Sequence, residues 1–224
     1  MKIVILTDST GCPRIYPKSE RVDLYETYPY LLKKEFSSSK FWQLSIGNQI
    51  SQLLIDQARG YLIHWKPDYI VLGTGINDVR PEAFSQKVTE VFRFKGRLSI
   101  LNKLINTILY MPVLINLFRK HRVTEKQFIK SIQSLKNTFK NSNIIWLEIS
   151  CHNNYEKARP GILKRKNSFN QKIKNVLKGN YIEINNELSK SNFFTKDLHH
   201  FTKQGHSFIA KKIINHINRI KTTV

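Results

Sequence analysis

The sequence predicts an α/β protein, a parallel sheet covered by helices on both faces. Three observations predict it. Short, almost wholly apolar runs, suited to strands buried on both sides, alternate with longer segments whose apolar residues recur at helical spacing. A hydrophobic fraction of 41% and a charged fraction of 24% over 224 residues are globular values, enough for a sizeable core without disulfides or metals. No internal repeat and no Gly/Ser- or Pro-rich linker divides the chain, so one domain over 1–224 is expected.

The elements follow in order. Ile3–Leu6 is a first strand. Residues 23–36 have helical character, with Pro29 disturbing their first part. Lys40–Ile46 reads as a second strand, and 48–63 as a helix with Ile50, Leu53, Leu54 and Leu62 at helical spacing. Tyr69–Leu72 is a third strand, introduced by Lys66-Pro67-Asp68. Residues 124–141 make a basic amphipathic helix with Phe128, Ile132, Leu135 and Phe139 on one face. Ile144–Ile149 is a fourth strand, 162–178 a helix and Tyr181–Ile184 a short fifth strand. A last helix runs from about Lys203 to Ile220 with Phe208, Ile209, Ile213, Ile214 and Ile217 as its apolar stripe.

A helical insertion is expected at about 82–122, after the third strand. Its segment 98–118 holds a single charge, Lys103, between the basic clusters Arg93, Lys95, Arg97 and Arg119, Lys120, Arg122. The length approaches that of a membrane span, but Asn102, Asn106, Pro112 and Asn116 argue against one. Leu98, Leu101, Leu104, Ile105 and Ile108 share a helical face, so the segment reads as amphipathic. An inserted helical pair packed on the core or against another subunit is the preferred reading. A lid, or a helix lying on an anionic membrane, is the alternative.

Lys+Arg 37 against Asp+Glu 16 gives a net charge of +21, which favours anionic partners. An Asn-, Ile- and Lys-rich composition can also arise from AT-rich coding, so the charge selects no particular partner. No RRM, zinc-finger or helix-turn-helix signature points to nucleic acid. Two cysteines, Cys12 and Cys151, make no disulfide framework. The apolar run Ile3–Leu6 is too short for a secretory signal. The expected compartment is the cytoplasm, with association at the inner membrane face and homo-oligomers both compatible with the chain.

In such a fold, ligands gather at the carboxyl ends of the strands. Ser9 follows the first strand, Gly47 the second, Gly75 to Asp78 the third and Cys151-His152 the fourth. Asp197 stands three residues before His200, in a loop just ahead of the last helix. An Asp so placed can accept from imidazole Nδ1–H, which fixes the tautomer and leaves Nε2 as a base. Ser9 is the hydroxyl that this base would activate. The Ser9 N–H, the Gly47 N–H and the Asn77 side-chain amide are the candidate donors to a developing oxyanion.

In this order the residues form a pattern: Thr7-Asp8-Ser9, then Gly47-Asn48, then Gly75-Ile76-Asn77-Asp78, then Asp197-Leu198-His199-His200. The chain resembles the SGNH (GDSL-like) hydrolase family over nearly its whole length. The resemblance implies a flavodoxin-like three-layer α/β/α sandwich with about five parallel strands. It implies Ser9 as nucleophile, Gly47 and Asn77 as oxyanion donors with the Ser9 amide, and His200 with Asp197 as base and orienting acid. No cofactor or metal is implied. Thr7 stands where the family usually has Gly, and a Thr fits a strand end if φ stays negative. The doubled His199-His200 is resolved by the spacing from Asp197, leaving His199 as a pocket neighbour.

Arg14 and His152 complete the candidate substrate-binding residues. Arg14 could pair with a substrate carboxylate or phosphate, or be a solvated loop Arg. Cys151 and His152 are adjacent, so in extended backbone they point to opposite sides and do not make a dyad. His206 reads as structural, and Asp78 as a brace for its loop. The expected function is a serine esterase removing an acyl group, acetyl above all, from a carbohydrate or glycan. An acyltransferase acting on a sugar or lipid-linked glycan is the first alternative. A catalytically inactive module binding nucleic acid or anionic membrane is the second.

Overall fold

The computed structural model describes residues 1–85, 88, 107–189 and 192–223. Five strands form one sheet: β1 Lys2–Thr7, β2 Lys40–Ser45, β3 Tyr69–Gly73, β4 Asn143–Leu147 and β5 Tyr181–Ile182. Their order is β2-β1-β3-β4-β5 and every pairing is parallel. This is the flavodoxin-like order, whose switch point lies between β1 and β3. The fold class predicted from the sequence is therefore the one observed. Strands four and five end two residues earlier than expected, because the chain after each turns to make loop contacts: Ile149 N–H and C=O are both held by the Asn170 side chain, and Ile184 N–H by Glu148.

Alternation along the strands sorts the core into two halves. Val4, Leu6, Ile70, Leu72, Ile144 and Trp146 face one side. There they meet α2 (Ser51–Trp65), α5 (Glu125–Thr138) and α7 (Ile162–Leu177). The intervening helices are α3 (Ile76–Val79), α4 (Pro112–Phe118) and α6 (Tyr155–Ala158). Ile3, Ile5, Val71, Ile145 and Leu147 face the other side, against α1 (Tyr28–Glu35) and α9 (Lys203–Thr223). Between β5 and α9 lies α8 (Asn185–Leu188). Strand residues buried on both faces explain why the runs read as continuously apolar.

Helix α1 begins at Tyr28, not at 23. Pro29 sits in its first turn, where its missing N–H costs nothing, and Leu24–Glu26 form a 3-10 turn instead. The predicted helix 124–141 is Glu125–Thr138, with Thr124 as N-cap in a capping box with Gln127. Within the expected insertion, the described residues include α4, while 86–87 and 89–106 lie outside the description, and with them most of the 98–118 segment. Among the described residues, no helix is long and apolar enough to cross a membrane.

Candidate active site

Ser9 opens a one-turn 3-10 helix, Ser9–Gly11, immediately after β1. Asp8 fixes this turn. Its carboxylate accepts from Thr10 N–H at 2.9 Å and from Gly75 N–H at 3.2 Å, joining the loop after β1 to the loop after β3. Asp8 is fully buried, and burial raises its pKa against the opposing pull of those N–H groups. Thr7 ends β1 with ordinary backbone and donates from Oγ1 to Ser45 Oγ at 2.8 Å. Its bulk is accommodated by Gly11: a Cβ there would lie 2.4 Å from Thr7 Oγ1.

The second and third strands bring the candidate oxyanion donors. A Cβ on Gly47 would lie 3.9 Å from Ser9 Cβ, so this glycine stands directly beside the serine. Among the described residues, the Ser9 and Gly47 N–H groups donate to no protein acceptor. Asn77 is buried, and its amide donates to Gln49 O at 3.1 Å. An amide nitrogen has two hydrogens, so that bond leaves donor capacity. The loop carrying Asn77 turns at Gly75 with φ +127°, where a Cβ would also strike Ile149 at 2.6 Å. Trp146 Nε1–H holds the same loop through Thr74 O at 3.1 Å. Asp78 braces it to α2: its Oδ2 accepts from Ser51 N–H at 3.0 Å and Ser51 Oγ–H at 2.9 Å. Burial pushes Asp78 up to about 7.

Asp197 and His200 meet in the loop ahead of α9. Asp197 Oδ2 lies 2.7 Å from His200 Nδ1. Its Oδ1 accepts from Thr195 Oγ1 at 2.8 Å and from the N–H groups of His199 and His200 at 3.2 and 3.1 Å. Leu198 takes φ +69° to close this turn, a conformation that is costly for a branched side chain. Burial works to raise the Asp197 pKa, but the hydrogen bond from His200 and the nearby imidazoles outweigh it and hold the carboxyl well below the usual range. A carboxylate on Nδ1 favours the tautomer with its proton there, which leaves Nε2 as the acceptor.

Ser9 and His200 line the same small cleft, of about 90 Å³, although no hydrogen bond joins them directly. The turn after β1 and the loop before α9 therefore meet at this cleft, with Gly47 beside Ser9. The arrangement can hold a base beside a hydroxyl, with N–H donors alongside.

Arg14 lines the cleft with Ser9 and His200, its guanidinium bonded to Asp197 Oδ2 at 2.5 Å and to Glu20 Oε2 at 3.4 Å and lying 2.9 Å from His200 Nδ1. His199 stacks on Tyr155, ring centroids 5.0 Å apart, and packs against the His200 ring at 4.1 Å. Burial and the neighbouring His200 lower its pKa to about 4, so it is neutral near pH 7. His152 lines a separate, larger cavity of about 530 Å³ with Phe194 and Leu198. Its Nδ1 accepts from Asn154 N–H. Cys151 is buried and its thiol is pushed up to about 11, which removes it as a nucleophile. His206 accepts from Tyr28 N–H at 3.2 Å and stacks on that ring.

Sequence reasoning missed Glu20. It pairs with Arg14 and accepts from Lys196 N–H at 2.9 Å, so it ties the 14–20 loop to the Asp197 loop. Nothing local signals a contact across 176 residues. Asp197, His199 and His200 also bring three ligand-type atoms within 4.8 Å of one another. The set does not suit a cation, because the Arg14 guanidinium already covers the Asp197 Oδ2 edge.

Solved structures of GDSL/SGNH-type hydrolases share this fold. A lipase/acylhydrolase from Enterococcus faecalis matches with a TM-score of 0.65 at 14% identity, over 96% of this chain and 94% of that one. A GDSL-like lipase from Bacteroides thetaiotaomicron matches at 0.61 and 15%, over 98% and 88%. An acetyl xylan esterase matches at 0.59 and 14%, over 96% and 98%. At these identities the likeness establishes the fold. No protein-family model matches the chain, and neither does any curated protein.

Proposed function

We propose that the protein is a serine esterase of the SGNH type that removes a small acyl group, most simply acetyl, from a carbohydrate. The observation that carries this reading is the shared cleft of Ser9 and His200, with Asp197 on the imidazole's inner nitrogen. His200 Nε2 takes the Ser9 proton as Oγ attacks the ester carbonyl. The tetrahedral oxyanion is held by the N–H groups of Ser9 and Gly47 and by Asn77. His200 then protonates the leaving alcohol, and the acyl-enzyme is hydrolysed by water with His200 again as base. Asp197 stabilises the imidazolium formed in each half-reaction. Carbohydrate as the alcohol half is supported by the fold shared with an acetyl xylan esterase.

Hydrolysis of acetylated oligosaccharides and of a chromogenic acetyl ester tests the reading. Activity is expected in the intact chain and lost in Ser9→Ala and His200→Ala; full activity in Ser9→Ala refutes it. Supplying a sugar acceptor with the acyl donor separates hydrolysis from transfer, since only a transferase yields an acylated acceptor.

A further inference from the structure

Helix α4 is anchored by Ile115, which is fully buried, yet it turns large apolar side chains outward. Val113 is 71% exposed and Leu117 70% exposed, one helical turn apart on one face. Ile108, Met111 and Phe118 are each at least 40% exposed as well, Phe118 with its ring also against Phe84. Isolated exposed apolar residues are ordinary, but five within eleven residues form a patch that water disfavours. Residues 107–122 contain no Asp or Glu, and Arg119 and Lys120 are exposed at the helix C-terminus. The surface therefore combines an apolar face with a basic edge, on a chain of net charge +21.

The same segment is tied to the crevice. Lys120 and Glu82 exchange backbone hydrogen bonds at 2.8 and 2.9 Å. Glu82 Oε1 accepts from Arg80 and Arg122. Those two arginines reach Asn48: Arg80 donates to its Oδ1 at 2.9 Å, and Arg122 to its C=O at 3.0 Å. Asn48 directly follows Gly47, so α4 hangs from the loop on the Ser9 side of the site.

We propose that the outward face of residues 108–118 is an interfacial anchor that seats on an anionic lipid surface. The apolar side chains enter the headgroup–acyl boundary while Arg119 and Lys120 meet lipid phosphates. A second copy of the chain is a poorer occupant. A dimer through this face would set two basic edges together, whereas anionic lipid neutralises them.

Flotation with phosphatidylcholine vesicles, with and without a quarter of phosphatidylglycerol, tests this on the full chain. The protein is expected to float with the anionic vesicles. Val113→Asp/Leu117→Asp should lower vesicle affinity at least about tenfold, and Arg119→Gln/Lys120→Gln about fivefold per charge removed. Thermal melting checks that the variants fold; Val113→Ser/Leu117→Ser replaces the Asp pair if that variant does not. The proposal is overturned if the wild type stays with the lipid-free fraction. It is equally overturned if the apolar variants bind as wild type, which would assign binding to diffuse charge. A dimer in sedimentation that the apolar variants dissolve, with no vesicle binding, would assign the face to a second copy. None of these readouts depends on esterase activity.

Discussion

Asp197→Asn probes the proposed mechanism at one atom. Three donors fix the Oδ1 position: Thr195 Oγ1–H and the N–H groups of His199 and His200. An asparagine must therefore place its carbonyl oxygen there and its NH2 where Oδ2 was. That NH2 faces His200 Nδ1, 2.7 Å from the present Oδ2, and can only donate to it. The imidazole is driven to the opposite tautomer, with its proton on Nε2, and can no longer accept from Ser9. The expected loss is about 10³–10⁴-fold in kcat, the scale of this exchange in serine hydrolases generally. The new NH2 also meets the Arg14 guanidinium, donor against donor, and two charge-assisted bonds disappear. Allowing for partial exposure, that costs about 2–3 kcal/mol of stability. Chromogenic ester kinetics and urea unfolding measure the two effects. A variant with kcat within about tenfold of wild type would refute the tautomer argument.

Other consequences follow from neighbouring groups. Burial raises Asp78 to about 7, so between about pH 4 and 7 the folded chain holds a proton that the unfolded chain has released. Stability from this group is present at low pH and lost as pH rises through 7, by up to about 4 kcal/mol; Asp78→Asn should flatten that slope in unfolding measured from pH 5 to 8, and an unchanged slope would contradict it. Gly11→Ala should destabilise by about 1–3 kcal/mol through its clash with Thr7, and Thr7→Gly in the same chain should restore most of it; failure of that rescue would show that the two positions are not coupled. Arg14→Met removes the link from Glu20 to Asp197 and should lower stability by about 1–3 kcal/mol and kcat severalfold, with KM for a neutral ester unchanged; wild-type values in both would return Arg14 to a solvated loop role.

The strands were legible because β1, β3 and β4 are buried on both faces, and such segments can only be apolar runs. The Asp197–His200 pair was legible because the partners that touch are only three positions apart. Ser9, Gly47 and Asn77 were each weak alone. They became readable because a parallel α/β sheet sends every strand end to one side. What stayed hidden is what long-range packing decides. Arg14 read equally as a substrate ligand and as a solvated residue, since its actual partner Asp197 lies 183 positions away. The ring of Tyr155 on which His199 stacks lies 44 positions earlier and left no local sign beside His199. The start of α1 was obscured because Pro29 was read as a disturbance, although a first-turn proline is compatible with a helix beginning at Tyr28.

The activated hydroxyl is the central claim, and covalent capture reads it most directly. Incubation of the full chain with a fluorophosphonate, followed by peptide mapping, should place a single adduct on Ser9, formed at a rate that His200→Ala sharply reduces. An adduct on another residue, or equal labelling of Ser9→Ala and wild type, would contradict it.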